Sequence, residues 1–137
     1  KRIASTSRRE QITLQSARSI AEYFMEQLRH EPQEHLMLAM FDNKSMLIGE
    51  KLLSTGTSNA ALISARDIYR TALQYQAAYV VVLHNHPSGN PEPSREDILV
   101  TRKIKACGEL LDILLMDHII IGDNSYVSLR ERGIFET

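Results

Sequence analysis

The longest uninterrupted apolar run of the chain, Ala77 to Leu83, ends directly on His84-Asn85-His86, and three of the chain's four prolines follow within residues 87–93. Within it Tyr79 to Leu83, rich in valine, read as a core β-strand, and the whole run is far short of the roughly 20 residues that span a bilayer. Proline fixes its own φ and offers no backbone N–H, so the chain leaves this strand through a stiff loop outside regular structure. Ser94 then stands three residues before Asp97, the Ser-x-x-acid pattern of a capping box that opens a helix. Any fold for this chain must therefore place a core strand end, a rigid polar turn and a helix start side by side.

The remaining elements follow from periodicity. From Thr13 onward, Leu14, Ala17, Ala21, Phe24 and Leu28 recur at intervals of three and four, which predicts a helix closed by Pro32. Leu36 to Phe41 show no polar alternation, as expected of a strand covered on both faces, and Asp42-Asn43-Lys44 turns the chain into a second strand around Met46–Leu53. These two form a hairpin, and Thr55-Gly56-Thr57 breaks the pattern. Ser64-Ala65-Arg66-Asp67 repeats the capping form and opens a helix to about Gln76. The helix begun at Ser94 is expected to reach about Cys107, with Gly108 as its stop. Strands are expected around Leu110–Leu115 and His118–Ile121, and Gly122-Asp123-Asn124 turns into a last strand over Tyr126–Leu129. The order implies an α/β fold, a mixed β-sheet flanked by helices.

With 137 residues, 43% of them hydrophobic and 24% charged, the chain can bury a core without staples. A single domain is expected over residues 13–137, preceded by a basic leader or linker end over residues 1–12. Residues 1–30 carry six basic against three acidic side chains, whereas the rest of the chain holds ten basic and fourteen acidic groups. A sequence pI near 6.6 does not describe the concentrated basic face of a nucleic-acid binder. Cys107, the one cysteine, forms no intrachain disulfide or thiolate metal cluster, which makes a reducing cytoplasm the expected compartment. Neither a signal peptide nor a membrane span is expected. The start at Lys1 rather than methionine reads as a piece of a longer protein.

Chemistry concentrates at the strand exit. Residues i and i+2 of a strand point to one face roughly 6.6 Å apart, so His84 and His86 are able to converge on one ion while Asn85 faces away. If the loop folds the helix start back beside them, Asp97 adds a carboxylate, and two imidazoles with one carboxylate leave the open position of a catalytic zinc. Such an ion brings the pKa of its water to about 7. Each part also has a plainer reading: a polar exit from the core for the histidines, a cap for Ser94 and Asp97, a turn for the prolines. Their co-occurrence within fourteen residues favours the ion.

The spacing His84-x-His86, seven residues, Ser94, two residues, Asp97 is similar to the JAMM signature of MPN+ metalloproteases. The wording His-Asn-His-Pro-Ser-Gly-Asn-Pro-x-Pro-Ser-x-x-Asp more narrowly resembles the RadC family. Flanking matches are Gly56-Thr57, Ala77-Ala78 and Leu115-Met116-Asp117-His118-Ile119-Ile120-Ile121-Gly122. The resemblance implies the cytidine-deaminase-like three-layer α/β/α sandwich of MPN domains, with one Zn2+ per chain on His84, His86 and Asp97. It implies a glutamate at the start of the first core strand as general acid/base, a position held here by Glu34 rather than Glu50. It also implies Ser94 as the oxyanion donor, with Asn85, Pro87 and Gly89 shaping the loop. RadC-type sequences commonly carry a proline and a glutamate around the arginine matching Arg66, where this chain reads Ala65-Arg66-Asp67. That stretch opens a helix and supplies no ligand. RadC proteins also carry an upstream helix-hairpin-helix-like domain that these residues do not include.

Other hydrolase and nuclease patterns fail. The letters of His84-Asn85-His86 spell HNH, but that nuclease draws its residues from separated parts of a ββα unit. One cysteine cannot supply the pair of a zinc deaminase, and neither His-Glu-x-x-His nor Gly-x-Ser-x-Gly occurs. His118 beside Asp117 reads as a hydrogen-bonded structural histidine, and Cys107 as inert packing. The expected function is zinc-dependent hydrolysis of a peptide, isopeptide or small amide. The rivals are a non-enzymatic MPN-like interaction module and a DNA-repair-associated accessory protein. Duplex DNA should bind this chain weakly, through the leader alone. Fluorescence anisotropy with and without residues 1–12 checks this, and tight, leader-independent binding contradicts it.

Overall fold

The computed structural model describes residues 16–56 and 63–136, so the expected leader, the start of the first predicted helix and Thr57 lie outside the described residues. Five strands form one sheet in the order β2-β1-β3-β4-β5: β1 (Glu34–Phe41), β2 (Leu47–Gly56), β3 (Tyr79–Asn85), β4 (Leu114–Ile121) and β5 (Tyr126–Ser128). Among the described residues three helices cover it, α1 (Ala17–Leu28), α2 (Ala65–Gln74) and α3 (Arg95–Leu111). The hairpin pairing of β1 with β2 is antiparallel, as is that of β1 with β3, whereas β3 and β4 run parallel on either side of the α3 crossover.

Successive strand residues face opposite sides of the sheet, and this divides the core in two. Met37, Ala39, Phe41, Val81, Leu83, Ile119 and Ile121 pack with Ile20, Ala21, Phe24 and Leu28 of α1. Leu36, Leu38, Met40, Val80, Val82 and Leu115 pack on the other side with Ile68 and Ala72 of α2 and Ile104 of α3. Helices on both sides explain why β1 and β3 read as continuous apolar runs: every residue from Leu36 to Phe41 and from Val80 to Leu83 is buried. The result is the expected three-layer α/β sandwich. No helix among the described residues is long and apolar enough to cross a membrane.

Three boundaries depart from the sequence reading. Strand β2 continues to Gly56, with Thr55 and Gly56 paired to His35 and Glu34. As the edge strand it buries little, so its polar residues hid the continuation. Helix α3 passes through Gly108 and ends at Asp112, which takes the left-handed conformation at φ 58° and donates its N–H to the Gly108 carbonyl. Gly108 is buried, and a Cβ there would run into the Ile113 carbonyl and stand 2.5 Å from the Tyr69 hydroxyl oxygen. The glycine permits close packing of α3 on α2 and does not stop the helix.

The two strands expected over 110–121 are one, β4, carrying a bulge. Val80 pairs with Leu115 but Val81 pairs with Asp117, which leaves Met116 as the extra residue. Such an insertion reverses the facing of everything beyond it. Leu115 and His118 therefore lie on the α3 side together, with Met116 against the α1 core. Asp117 secures the bulge, its Oδ1 accepting the N–H groups of His118 (2.7 Å) and Arg130 (3.1 Å) and its Oδ2 accepting the Ser128 hydroxyl (2.6 Å).

The packing of Gly108 predicts the sign of a substitution. Alanine is favoured over glycine inside a helix by about 1 kcal/mol, so an uncrowded glycine at this interior position would gain stability from Gly108→Ala. Overpacking against backbone should instead leave a net loss of about 1–3 kcal/mol, read by urea denaturation.

Candidate metal centre

Strand β3 carries the alternation through its last turn: Val80, Val82 and His84 face α3, whereas Val81, Leu83 and Asn85 face α1. His84 is thus delivered, 1% exposed, to the point where the first turn of α3 passes over the sheet. The loop after it is tied on several sides. The His86 N–H donates to the Ile121 carbonyl (2.9 Å), Gly89 adopts φ 90° and donates to the His86 carbonyl (2.9 Å), and the Asp123 N–H donates to the Gly89 carbonyl (2.9 Å). Gly122 lies so close beneath Gly89 and Pro91 that a Cβ would have no room. This rigid return places α3 beside the imidazoles.

Ser94 caps α3: its Oγ accepts the Asp97 N–H at 3.0 Å, and the Asp97 Oδ2 accepts the Ser94 N–H at 2.8 Å. The Ser64–Asp67 pair behaves differently, with Ser64 capping α2 and the Asp67 carboxylate paired to Arg70 at 2.7 Å. Asp97 is a cap and also faces the histidines. His84 Nε2 stands 3.2 Å from His86 Nε2 and 3.4 Å from Asp97 Oδ1, and His86 Nε2 stands 3.3 Å from Asp97 Oδ2. Four-coordinate zinc with ligand bonds near 2.0–2.1 Å requires donor atoms about 3.3 Å apart. The three groups therefore fit a tetrahedral ion, with one donor atom of each within 4.8 Å of the others. His86 Nδ1 donates to the Asn90 carbonyl at 3.0 Å, which leaves its Nε2 for the centre.

Electrostatics agrees with this arrangement. Burial works against the Asp97 charge, but the neighbouring His84 and His86 imidazoles and the Ser94 N–H outweigh it and hold the carboxyl well below its usual range. Burial likewise works against charge on His86, and the Asp97 carboxylate with the Asn90 carbonyl more than offsets it, raising its pKa. A proton on His86 therefore competes with a cation, whose binding should weaken in acid.

Glu34, the first residue of β1, lies beside this cluster. Burial raises its carboxyl above the ordinary range, opposed by His84 and His86 and aided by Asp97. Its Oε1 is buried without a hydrogen-bond partner. Glu50 points elsewhere, its carboxylate meeting the Tyr23 hydroxyl (3.3 Å) and Gln27 Nε2 (3.4 Å) of α1.

Two arrangements went unread in the sequence. Asn85 turns away from the cluster, as expected, but grips the backbone on both sides of Glu34. Its Oδ1 accepts the His35 N–H at 2.7 Å and its Nδ2 donates to the carbonyls of Gln33 (3.0 Å) and Glu31 (3.4 Å). His118, fully buried, does have the hydrogen bonds expected of it, but they join it to His84: its Nε2 is 2.7 Å from His84 Nδ1 and its Nδ1 is 2.6 Å from Thr101 Oγ1. Full burial, with the nearby charge of His84, holds His118 well below the usual imidazole range. The available signal was a polar residue inside an apolar strand, and a threonine one helical turn beyond Asp97.

A mixed sheet between helices, with a His-x-His pair and a helix-borne aspartate at the carboxyl end of a central strand, defines a JAMM-type α/β domain. The chain belongs to the RadC family, whose RadC-like JAB domain matches residues 14–134. It is 39% identical over 133 residues to a UPF0758 protein of Geobacillus sp. (strain WCH70), covering 97% of this chain and 59% of that protein. Similar relatives are the UPF0758 proteins of Shouchella clausii, 43% identical over 90% of this chain and 54% of the relative, and of Clostridium kluyveri, 44% identical over 87% and 52%. The chain spans little more than half the length of these relatives.

The Asn85 clamp yields a prediction for stability. Asn85→Ala strands the His35 N–H and should cost about 1–3 kcal/mol. Asn85→Asp keeps that acceptor but turns a carboxylate toward two carbonyls, and should not restore the loss. Urea denaturation of both variants checks this.

Proposed function

We propose that this chain is a zinc-dependent hydrolase of the JAMM type, cleaving a peptide, isopeptide or small amide bond. The observation that carries the reading is Glu34: a buried carboxylate oxygen without a donor stands beside a three-ligand cluster of tetrahedral spacing. A structural site would close the fourth position with another side chain.

In this reading His84, His86 and Asp97 would hold one zinc ion per chain, which would supply an activated water at neutral pH and a Lewis acid for the scissile carbonyl. Glu34 takes a proton at Oε1 and returns it to the leaving amine. Its raised pKa favours taking up that proton and keeping it until the leaving amine, a stronger base, accepts it. The rigid β1 start, held by Asn85, keeps that oxygen aimed. Ser94, whose Oγ already accepts the Asp97 N–H, directs its hydroxyl proton to the developing oxyanion. The substrate lies across the carboxyl end of β3, the usual ligand position of an open α/β sheet.

Metal analysis of protein purified without added metal should find about one zinc per chain. His84→Ala, His86→Ala and Asp97→Ala should each lose it, since two protein ligands rarely retain the ion. A fully loaded Asp97→Ala variant would reduce Asp97 to a helix cap. On a panel of fluorogenic peptides and isopeptides, Glu34→Gln should keep zinc and fold while kcat falls about 10²- to 10⁴-fold. Glu50→Gln should keep both zinc and activity. A zinc-loaded chain that cleaves no member of the panel, with Glu34→Gln indistinguishable from it, would favour the interaction-module reading.

A further inference from the structure

The hydrogen bonds behind His84 form an unbranched chain with countable protons. Thr101 Oγ1 lies 2.6 Å from the Asp97 backbone carbonyl and 2.6 Å from His118 Nδ1, and His118 Nε2 lies 2.7 Å from His84 Nδ1. Thr101, His118 and His84 are all buried, so no solvent donor or acceptor replaces a missing partner.

Two proton patterns satisfy the imidazole links. In the first, the Thr101 hydroxyl donates to the Asp97 carbonyl, His118 Nδ1–H donates to Thr101, and His84 Nδ1–H donates to His118 Nε2. His84 Nε2 is then a bare lone pair facing Asp97 and His86. In the second, both imidazole links reverse and the Thr101 donation to the Asp97 carbonyl is lost: Thr101 donates to His118 Nδ1, His118 Nε2–H donates to His84 Nδ1, and His84 Nε2 carries a proton into the centre. Only the first makes use of the Asp97 carbonyl, which accepts and never donates.

We propose that Thr101 and His118 are positioning residues that fix the Nδ1–H tautomer of His84 and so hold its Nε2 open for a metal ion before the ion arrives. The proposal rests on the metal-centre reading for its purpose, but the tautomer itself is a property of the metal-free chain. It assigns a role to the β4 bulge, because without the extra Met116 His118 would face α1. It also ties the lock to the ligand it serves: the carbonyl that fixes the Thr101 proton belongs to Asp97. Partners behind a metal-ligating imidazole commonly set its tautomer and orientation.

The test uses the metal-free chain first. Long-range proton–nitrogen NMR on 15N-histidine-labelled protein should show His84 and His118 both as Nδ1–H tautomers. A proton on His84 Nε2 overturns the proposal. Thr101→Val, nearly isosteric, removes the acceptor of His118 Nδ1–H and should turn both rings over. Its zinc affinity, measured against a competing chelator, should fall about 10- to 100-fold. Thr101→Ser restores the hydroxyl and should restore both the tautomer and the affinity. Unchanged tautomers and affinity in a folded Thr101→Val protein would make Thr101 a packing residue only. If that variant does not fold by circular dichroism, the wild-type spectrum alone decides. A wild-type chain that binds no zinc would sink the metal-centre reading, while the spectrum would still judge the relay.

Discussion

One carboxylate connects the architecture to the centre. Asp97 Oδ2 accepts the Ser94 N–H and thereby sets where α3 begins, while the same side chain stands against both imidazoles of the β3 exit. The cap fixes the Asp97 carboxylate relative to α3, so a helix that drifts from the sheet carries that carboxylate away from the imidazoles, and the position of α3 and the convergence of the three groups are one constraint. Such a buried, acceptor-rich cluster is costly unless its charge is matched, and the imidazoles with the Ser94 backbone N–H supply the match here.

The rest of the fold keeps that constraint rigid. Each side chain of the cluster has its own support: His84 has His118 and Thr101 behind it, His86 has the Asn90 carbonyl, and Glu34 sits between two peptide groups held by Asn85. These supports come from β3, β4, α3 and the loop that joins β3 to α3, and the three elements are anchored by apolar residues in the two cores. Side chains locked this way lose little freedom when an ion or substrate binds, which is what preorganisation requires.

Much of this was legible from residue types alone, for physical reasons. Continuous apolar runs at Leu36–Phe41 and Tyr79–Leu83, short and bounded by polar or turn residues, announce strands buried on both faces, because a half-buried strand would alternate with polar residues. The i, i+2 spacing of His84 and His86 and the cap spacing of Ser94 and Asp97 encode local geometry directly. Glu34 was reached through family resemblance, since a lone glutamate before a strand carries no spacing of its own. Gly108 misled because glycine serves both helix termination and close packing, and only the approach of Tyr69 and Ile113 separates the two. The β4 bulge left no local mark. It reversed the facing of His118, so the link to His84 depended on a register that single-strand periodicity does not contain.

Whether His84, His86 and Asp97 form a metal centre is read by X-ray absorption at the zinc edge of the loaded chain. A first shell of nitrogen and oxygen at about 2.0–2.1 Å is expected, with the outer-shell scattering of two imidazoles and no sulfur. A sulfur neighbour from Cys107, or a shell without imidazole scattering, would place the ion elsewhere and rule out a centre on these three residues.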